Sequence, residues 1–438
     1  MTIVTVELND SEIRVARGNQ VILRSAGVAV VNREGLHVGD EALKLAYLNP
    51  RETHDRHWYK LNQDALHAPA RDYRHHADLV YAHLLTLYEQ AGKPGELIFT
   101  VPGSYSDQQL SMLLGIVAAC PFNAVGLVDT AVAGSAMIAS TGPCQFLDMH
   151  LHQCVITQLE AGSSVTRTGV ITIDDIGFVK LYSLVAGLVA DLFIQQSRFD
   201  PQHHAETEQL LYDQLPGALM TLMAAREVDL EIHYQNTTHH ARLSRDALLN
   251  KLQPIYDRLH ERLVKDRATI LADRMLKLPG FSERLPGFLP STAETLFESC
   301  QKHMLEIITQ GPELRFVTSL PAEQQARTEA RGNSNTVLAL DAGVTHIASS
   351  GRAFPLSDGR LYLSVNGNIS TVPDPGGRMA TIDVNAGNAT LIPGKGNNLL
   401  INGIPATNGI ILQPGDKVQA GNAGIQYEFM QVMTGNDT

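Results

Sequence analysis

Two stretches of this chain repeat one pattern: three short runs of alternating apolar residues joined by turns, followed by helical sequence. The first stretch is TIVTVELN, SEIRVARG and NQVILRSAGVAVV; the second is CQFLDMHLHQCVITQLE continuing through SSVTRTGVITIDDIGFVKLYSLV. Alternation with period two sends one face of a strand into a core and the other outward, so each stretch reads as an antiparallel meander. Between and after them the period lengthens. LVYAHLLTLYEQAG has helical spacing and stops at Gly92, ELIFTVPG reads as a buried strand, SDQQLSMLLGIVAACP is a helix capped by Ser106, and AVGLVDTAVAGSAMIA joins a strand to a small-residue helix. A meander and a helical excursion met twice imply two related α/β halves facing a cleft.

Composition sets outer limits. A chain of 438 residues, 44% hydrophobic, with no long low-complexity tract, is expected to be globular with two or three domains. MTIVTVELNDSEIRV has no basic start and no apolar run, so it reads as a first strand rather than a targeting signal. No window suggests a membrane span, and no direct membrane insertion is expected. Cys120, Cys144, Cys154 and Cys300 lack metal-type spacing, which suits reduced thiols and a cytoplasmic protein. A net charge of −12 argues against nucleic acid as a partner, because that binding relies on cationic surfaces.

HVGDEALKLAYLNPRET, IFTVPGSYSDQQLSMLLGIVAACPFNAVGLVDTAVAGSAMIA and VDLEIHYQNTTHHARLSRDALLNKLQPIYDRL resemble, in order and spacing, the nucleotide-binding domain of DnaK-type heat-shock chaperones, within the actin and sugar-kinase superfamily. The resemblance covers about residues 1–354. It implies a two-lobed actin-like ATPase fold of duplicated ribonuclease-H-like halves, with lobe I at 1–144, lobe II at 145–354, and a helical and β insertion near 205–290. Such a fold holds ATP and magnesium between the lobes. That needs tight turns whose backbone N–H groups touch phosphate, and acidic strand ends that hold the metal through water.

The turns of this chain depart from the family pattern. Where the family's first phosphate loop reads Asp-Leu-Gly-Thr-Thr, residues 7–11 read ELNDS: Glu7 takes the place of the acid, Asn9 that of the glycine, and Ser11 keeps a hydroxyl. In the second loop Asp148 matches the acid, but Met149, His150, Leu151 and His152 fill the glycine positions. Thr318 and Ser319 stand where a Gly-Gly turn would cup adenosine. Trp58 lies near the position of the catalytic lysine, with Lys60 two residues on. Glu7, Lys60 and Asp148 are thus vestigial catalytic candidates, and Asn9, Ser11, Thr318 and Ser319 vestigial nucleotide contacts. The expected cleft is a pseudo-ATPase site without a bound cofactor; ATP and magnesium enter only if it is still competent.

Other readings stand beside these. Asp148 is either a vestigial ligand or a turn cap. His150 and His152, two apart on one strand face, suit a metal, although nothing nearby completes a ligand set and no metal is expected. His75–His76, His203–His204 and His239–His240 read as surface scatter.

From Pro355 the texture changes to Gly- and Asn-rich turns between short strands, which reads as a separate all-β sandwich over 355–438. NNLLINGIPATNGIILQPGDKVQAGNAGIQYEFM resembles the C-terminal half of a forkhead-associated domain, a module that reads phosphothreonine peptides in other proteins. Asn397 would match its peptide-gripping asparagine, Asn402 and Gly403 its structural turn, and Gly377-Arg378 offers a cation, too close to Asn397 to be the phosphate arginine. The expected function is a DnaK-like pseudo-ATPase serving as a scaffold or assembly factor for protein partners, a phosphoprotein among the options. The alternative is an active ATP-dependent chaperone or nucleotide-switched ATPase.

Overall fold

The computed structural model describes residues 3–309 and 314–323 and, between 346 and 430, the strands with a few adjoining residues. The chain divides into two compact units, Met1–Thr328 and Glu329–Thr438.

The first unit is mixed α/β and contains two six-stranded sheets. In the first sheet, Val4–Glu7 pairs antiparallel with Ile13–Arg17, which pairs antiparallel with Gln20–Ser25. On its other side Val4–Glu7 pairs parallel with Glu96–Val101, and that strand with Asn123–Asp129. Five strands of the second sheet follow the same order; its sixth, Ser319–Pro321, lies beside Ser164–Asp174, whereas the sixth of the first sheet, Phe316–Val317, lies beside Asn123–Asp129. Gly142–Met149 pairs antiparallel with Gln153–Ala161, and Gln153–Ala161 with Ser164–Asp174, while Gly142–Met149 pairs parallel with Ala268–Ala272 and that strand with Leu289–Ser291. The strands at the centre are covered on both faces, which is why ELIFTV is apolar without alternation.

Helices fill the connections. His76–Gln90 and Asp107–Ala118 accompany the first sheet; Ser106 caps the latter in a capping box with Gln109. Thr130–Ser135 and Ala293–Lys302 share one apolar cluster with strands of both sheets. Small residues make the approach feasible: a Cβ on Gly134 would meet the Phe146 ring and Ser291 Oγ at 2.9 Å.

Several expectations need correction. NQVILRSAGVAVV is not one strand: Gln20–Ser25 stays in the sheet, while Ala29–Asn32 leaves it to pair with Gly35–Val38 and Thr53–His54. The break is at Gly27, whose N–H donates to Asp10 O and whose Cβ would lie 2.4 Å from that oxygen. The insertion is narrower than 205–290. The helix Ala205–Leu222, the hairpin Glu227–Tyr234 with Thr237–Ser244, and the helix Arg245–Arg262 complete it, and Ala268–Ala272 is already back in the sheet. Gln235 and Asn236, both at positive φ, close the hairpin with the two-residue turn that strand twist favours. Phe178–Ser197 is long and apolar enough, by composition, to cross a membrane, contrary to the expectation of no such window. Here Leu181, Val185, Val189 and Phe193 bury one face of it in the core beside the second sheet.

The second unit is strand-rich, with one six-stranded and one five-stranded antiparallel sheet whose residues, including Ile347, Leu363, Ile382, Leu391, Val418 and Phe429, share a core. It begins before the expected Pro355. His346–Ser349 pairs with both Arg352–Pro355 and Gln426–Met430, so the first strand of this unit precedes the change in sequence texture.

Candidate functional site

The two meanders present their first turns to each other. Glu7 ends the strand Val4–Glu7, residues 8–12 turn, and Ile13 starts the return; Asp148 lies one residue from the end of Gly142–Met149, and residues 150–152 turn into Gln153–Ala161. Glu7, Asn9, Asp10, Asp148 and His150 are all buried.

What fills the space between the acids is protein. Arg274 Nη1 donates to Glu7 Oε1 at 2.8 Å and lies 3.6 Å from Asp148 Oδ2, while its Nη2 donates to Glu12 O at 2.7 Å. Asn9 Nδ2 donates to Asp148 Oδ2 at 2.9 Å and to Met149 O at 3.2 Å, and Asn9 Oδ1 accepts from Ser11 N and Oγ. Asp10 Oδ1 accepts from Leu151 N at 2.8 Å and stands 3.4 Å from His150 Nδ1. Glu7 also faces Arg14, its cross-strand neighbour, at 3.6 Å, and Arg14 Nη2 reaches Asp273 Oδ2 at 2.6 Å. Burial disfavours the Arg274 charge, but Glu7 and Asp148 outweigh it and hold the guanidinium ionised. Burial would raise the Glu12 and Asp273 carboxyls; Arg14, with Arg274 and Arg24 on Glu12 and Lys277 on Asp273, brings both below their ordinary values instead.

The bulky residues of the second turn have packing roles. Met149 belongs to the large core beside the second sheet, and Leu151 packs with Ala26, Val28, Ala42, Ala46 and Phe178. The helix Phe178–Ser197 begins directly behind this turn. An N-terminus of this kind is a ready anion site, but here Phe178 N donates to His150 O at 2.9 Å and Val179 N to Leu151 O at 3.0 Å. A Cβ on Gly177 would lie 2.4 Å from Leu151 O, so the approach is tight.

Further ties join segments distant in sequence. Tyr47 stacks on Tyr212 with ring centroids 3.7 Å apart, and Gln209 both accepts from Tyr47 N at 2.9 Å and donates to Leu43 O at 3.0 Å. His152 Nε2 lies 3.1 Å from Asp55 O and 3.4 Å from Asp55 Oδ1.

Of the residues picked out from sequence, Glu7, Asn9, Ser11 and Asp148 come together. Lys60 does not: it is exposed at the end of the short helix His57–Lys60, and Trp58 is buried in the core of the first sheet. Thr318 joins two short strands and Ser319 begins the second of them, so neither lies at a Gly-Gly-type turn. Phe316–Val317 pairs with the first sheet and Ser319–Pro321 with the second, and Ser319 Oγ meets Thr166 Oγ1 at 2.6 Å. Arg378 opens the strand Arg378–Asn385; Asn397, Asn402, Gly377 and Gly403 lie outside the described residues. His76 is buried and His239 stacks on Phe199, so these two are not surface scatter. Among the described residues no group of three or more His, Cys, Asp or Glu is arranged to hold a metal ion.

Sequence reasoning missed Arg274, Arg14, Asp10 and the packing of Leu151. Arg14 had a signal, since a tight first hairpin places it opposite Glu7. Arg274 had none, because its partner Glu7 is 267 positions away. A scan against family models gives no match to this chain, and a search of curated proteins gives none.

Proposed function

We propose that the first unit is a two-lobed actin-like fold of the DnaK type whose nucleotide cleft has become an internal protein contact, and that the chain acts as a cytoplasmic scaffold or assembly factor for protein partners. The matching order of five strands in the two sheets supports the fold reading. Fold alone does not carry function, so the site must decide.

The observation that carries the proposal is the bridge across Glu7 and Asp148. In an active cleft of this kind those carboxylates would face a hydrated magnesium ion and phosphate would lie against bare backbone. Here a guanidinium and a carboxamide take the cation's place, Leu151 and His150 take the phosphate's, and the nearest helix donates its first N–H groups to the turn itself. These residues do not fit a magnesium–phosphate group, and no chemical step is derived through one. The active-ATPase alternative requires Arg274 and the 150–152 turn to move away together.

In this reading the second unit is a β-sandwich docking module fused to that closed body. Phosphopeptide reading would need a charge-assisted donor set that the sequence does not supply.

A thermal shift of the purified full chain with ATP or ADP and magnesium tests the proposal. A ligand at a hundredfold its dissociation constant adds about 2.7 kcal/mol of stability. The expected result is no shift with either nucleotide, and a magnesium-dependent rise in Tm would overturn the pseudo-ATPase reading.

A further inference from the structure

Histidines gather around the segment 53–60 beside the first sheet, next to the second turn, whose His152 meets Asp55. His54 ends the strand Thr53–His54, His57 starts the helix His57–Lys60, His67 lies in the following loop, and His76 and His83 belong to the helix His76–Gln90. All but His67 are buried. The ring of His54 lies 4.4 Å from that of His67, and the ring of His57 lies 6.0 Å from that of His83.

The hydrogen bonds fix the protonation state at the centre. Trp58, 1% exposed, donates its Nε1–H to His83 Nδ1 at 3.1 Å, and His83 Nε2 stands 2.8 Å from Ser25 Oγ. Indole nitrogen is only a donor, so His83 Nδ1 carries no proton and Nε2 carries the single one, donated to Ser25. A second proton would set N–H against N–H. Neither ring nitrogen of His54 or His57 makes a well-formed hydrogen bond, so an imidazolium at either would be a poorly compensated buried cation.

We propose that this cluster is an acid-sensitive latch: proton uptake at His83 and its neighbours breaks the Trp58–His83–Ser25 chain and frees the segment 53–60 from the helix His76–Gln90, while both sheets stay folded. The inference goes beyond the scaffold reading and holds whether or not the cleft accepts nucleotide.

The charges around the rings do not offset burial. Burial is the largest influence on each ring and opposes the proton. After burial, His67 and His76 oppose a proton on His54 while the Ala68 backbone and Asp55 favour one; His83, His54 and His76 oppose one on His57 while the His54 backbone favours it; and Lys60 opposes, Asp64 favours and His67 opposes one on His76. Asp55 itself is engaged by His152. The outcome is that His54 is pushed down to about 4, His83 to about 3, and His57 well below the ordinary 6.5. Depressed folded values favour the neutral rings, so their stabilisation is complete above 6.5 and is lost as pH falls through the folded values. The segment's helix is four residues long and ends at Leu61 in the left-handed region, φ 37°, and its other ties are the pairing of Thr53–His54 with Ala29–Asn32, the Tyr105 hydroxyl and Gln109 Nε2 donating to Trp58 O and Tyr59 O, and His152 at Asp55, which must yield with the chain.

Trp58 is the chain's one tryptophan, so fluorescence excited selectively at the indole, not at the tyrosines, reads this cluster in the full chain. The emission maximum is followed from about pH 7.5 to about pH 4, with far-UV circular dichroism in parallel. The expected result is a red shift between pH 6.5 and 4 with the dichroism largely retained. His57→Leu and, separately, His54→Leu each remove a titrating ring and are expected to move the midpoint about half a pH unit or more toward acid. A steady emission maximum, a loss of intensity without a shift, a shift only together with collapse of the dichroism, or unmoved midpoints in both variants would overturn the latch.

Discussion

Arg274 shows how one side chain decides the state of the closed junction. Its guanidinium is 5% exposed and links Glu7, Asp148 and the Glu12 carbonyl. Removing one partner of a buried ion pair leaves an uncompensated charge in low dielectric, which costs about 3–5 kcal/mol. Arg274→Met is therefore expected to destabilise the first unit by about that amount, seen as a lower urea midpoint at unchanged slope. Adding Glu7→Gln removes one of the orphaned charges. The double variant should cost less than the sum of the singles by about 0.5–3 kcal/mol, and strict additivity would mean that the two side chains do not depend on each other. At this scale half of the site was legible. Glu7, Asn9, Ser11 and Asp148 stand out because the resemblance to a phosphate turn sets an expectation for those positions, which Met149 to His152 visibly break. The partner that makes sense of the violation comes from a segment, ADRMLK, with no local mark of its role.

At the scale of elements, the turn 150–152 and the helix Phe178–Ser197 form one unit, because the turn's carbonyls satisfy the helix's first N–H groups. Two glycines of this region separate the effect of close approach from that of helix propensity. Gly177 lies where a Cβ would meet Leu151 O at 2.4 Å and His150 O at 2.7 Å, whereas Gly187 in the middle of the helix has nothing within 4 Å. Gly177→Ala is expected to cost about 1–3 kcal/mol by forcing the turn and helix apart. Gly187→Ala is expected to stabilise by about 0.5–1 kcal/mol, since alanine loses less backbone freedom in a helix interior. Equal effects of the two substitutions in thermal unfolding would remove the turn-to-helix contact from the account. The meanders, the apolar parallel strands and the Ser106-capped helix were legible here, because period and capping are local. The split of the third strand at Gly27 was not, since it answers to Asp10, a residue of another turn. The hairpin of the insertion was hidden for a different reason: Gln235-Asn236 lacks the glycine that usually marks a two-residue turn.

At the scale of the molecule, the repeat that is visible in the sequence becomes two sheets that share the order of five strands, and the turns at 8–12 and 150–152 become contacts between them. Parallel strands need both faces covered; the cluster around Ala131, Val132, Leu296 and Cys300 is shared by the two sheets, and each sheet has a further cluster of its own. The first unit thus has its core inside residues 1–328, and the second has its own around Ile347, Ile382, Val418 and Phe429. The change of texture at Pro355 misplaced this division because His346–Ser349 is too short to register as a strand until it is paired with Gln426–Met430. A chain ending at Thr328 is accordingly expected to fold. It should keep a far-UV spectrum with helix and strand, and the Trp58 emission maximum of the full chain at neutral pH, because His83, Ser25 and the core cluster around Trp58 all lie within residues 1–328. The complementary fragment, residues 329–438, should give a spectrum dominated by strand, since its described elements are all strands. Placing the cut at residue 354 instead removes His346–Ser349 and Arg352–Pro355 from the six-stranded sheet and exposes the edge of Gln426–Met430. That shorter fragment, 355–438, is expected to unfold at lower temperature or aggregate through the open edge, and equal melting of the two β fragments would place those strands outside the unit's stable core.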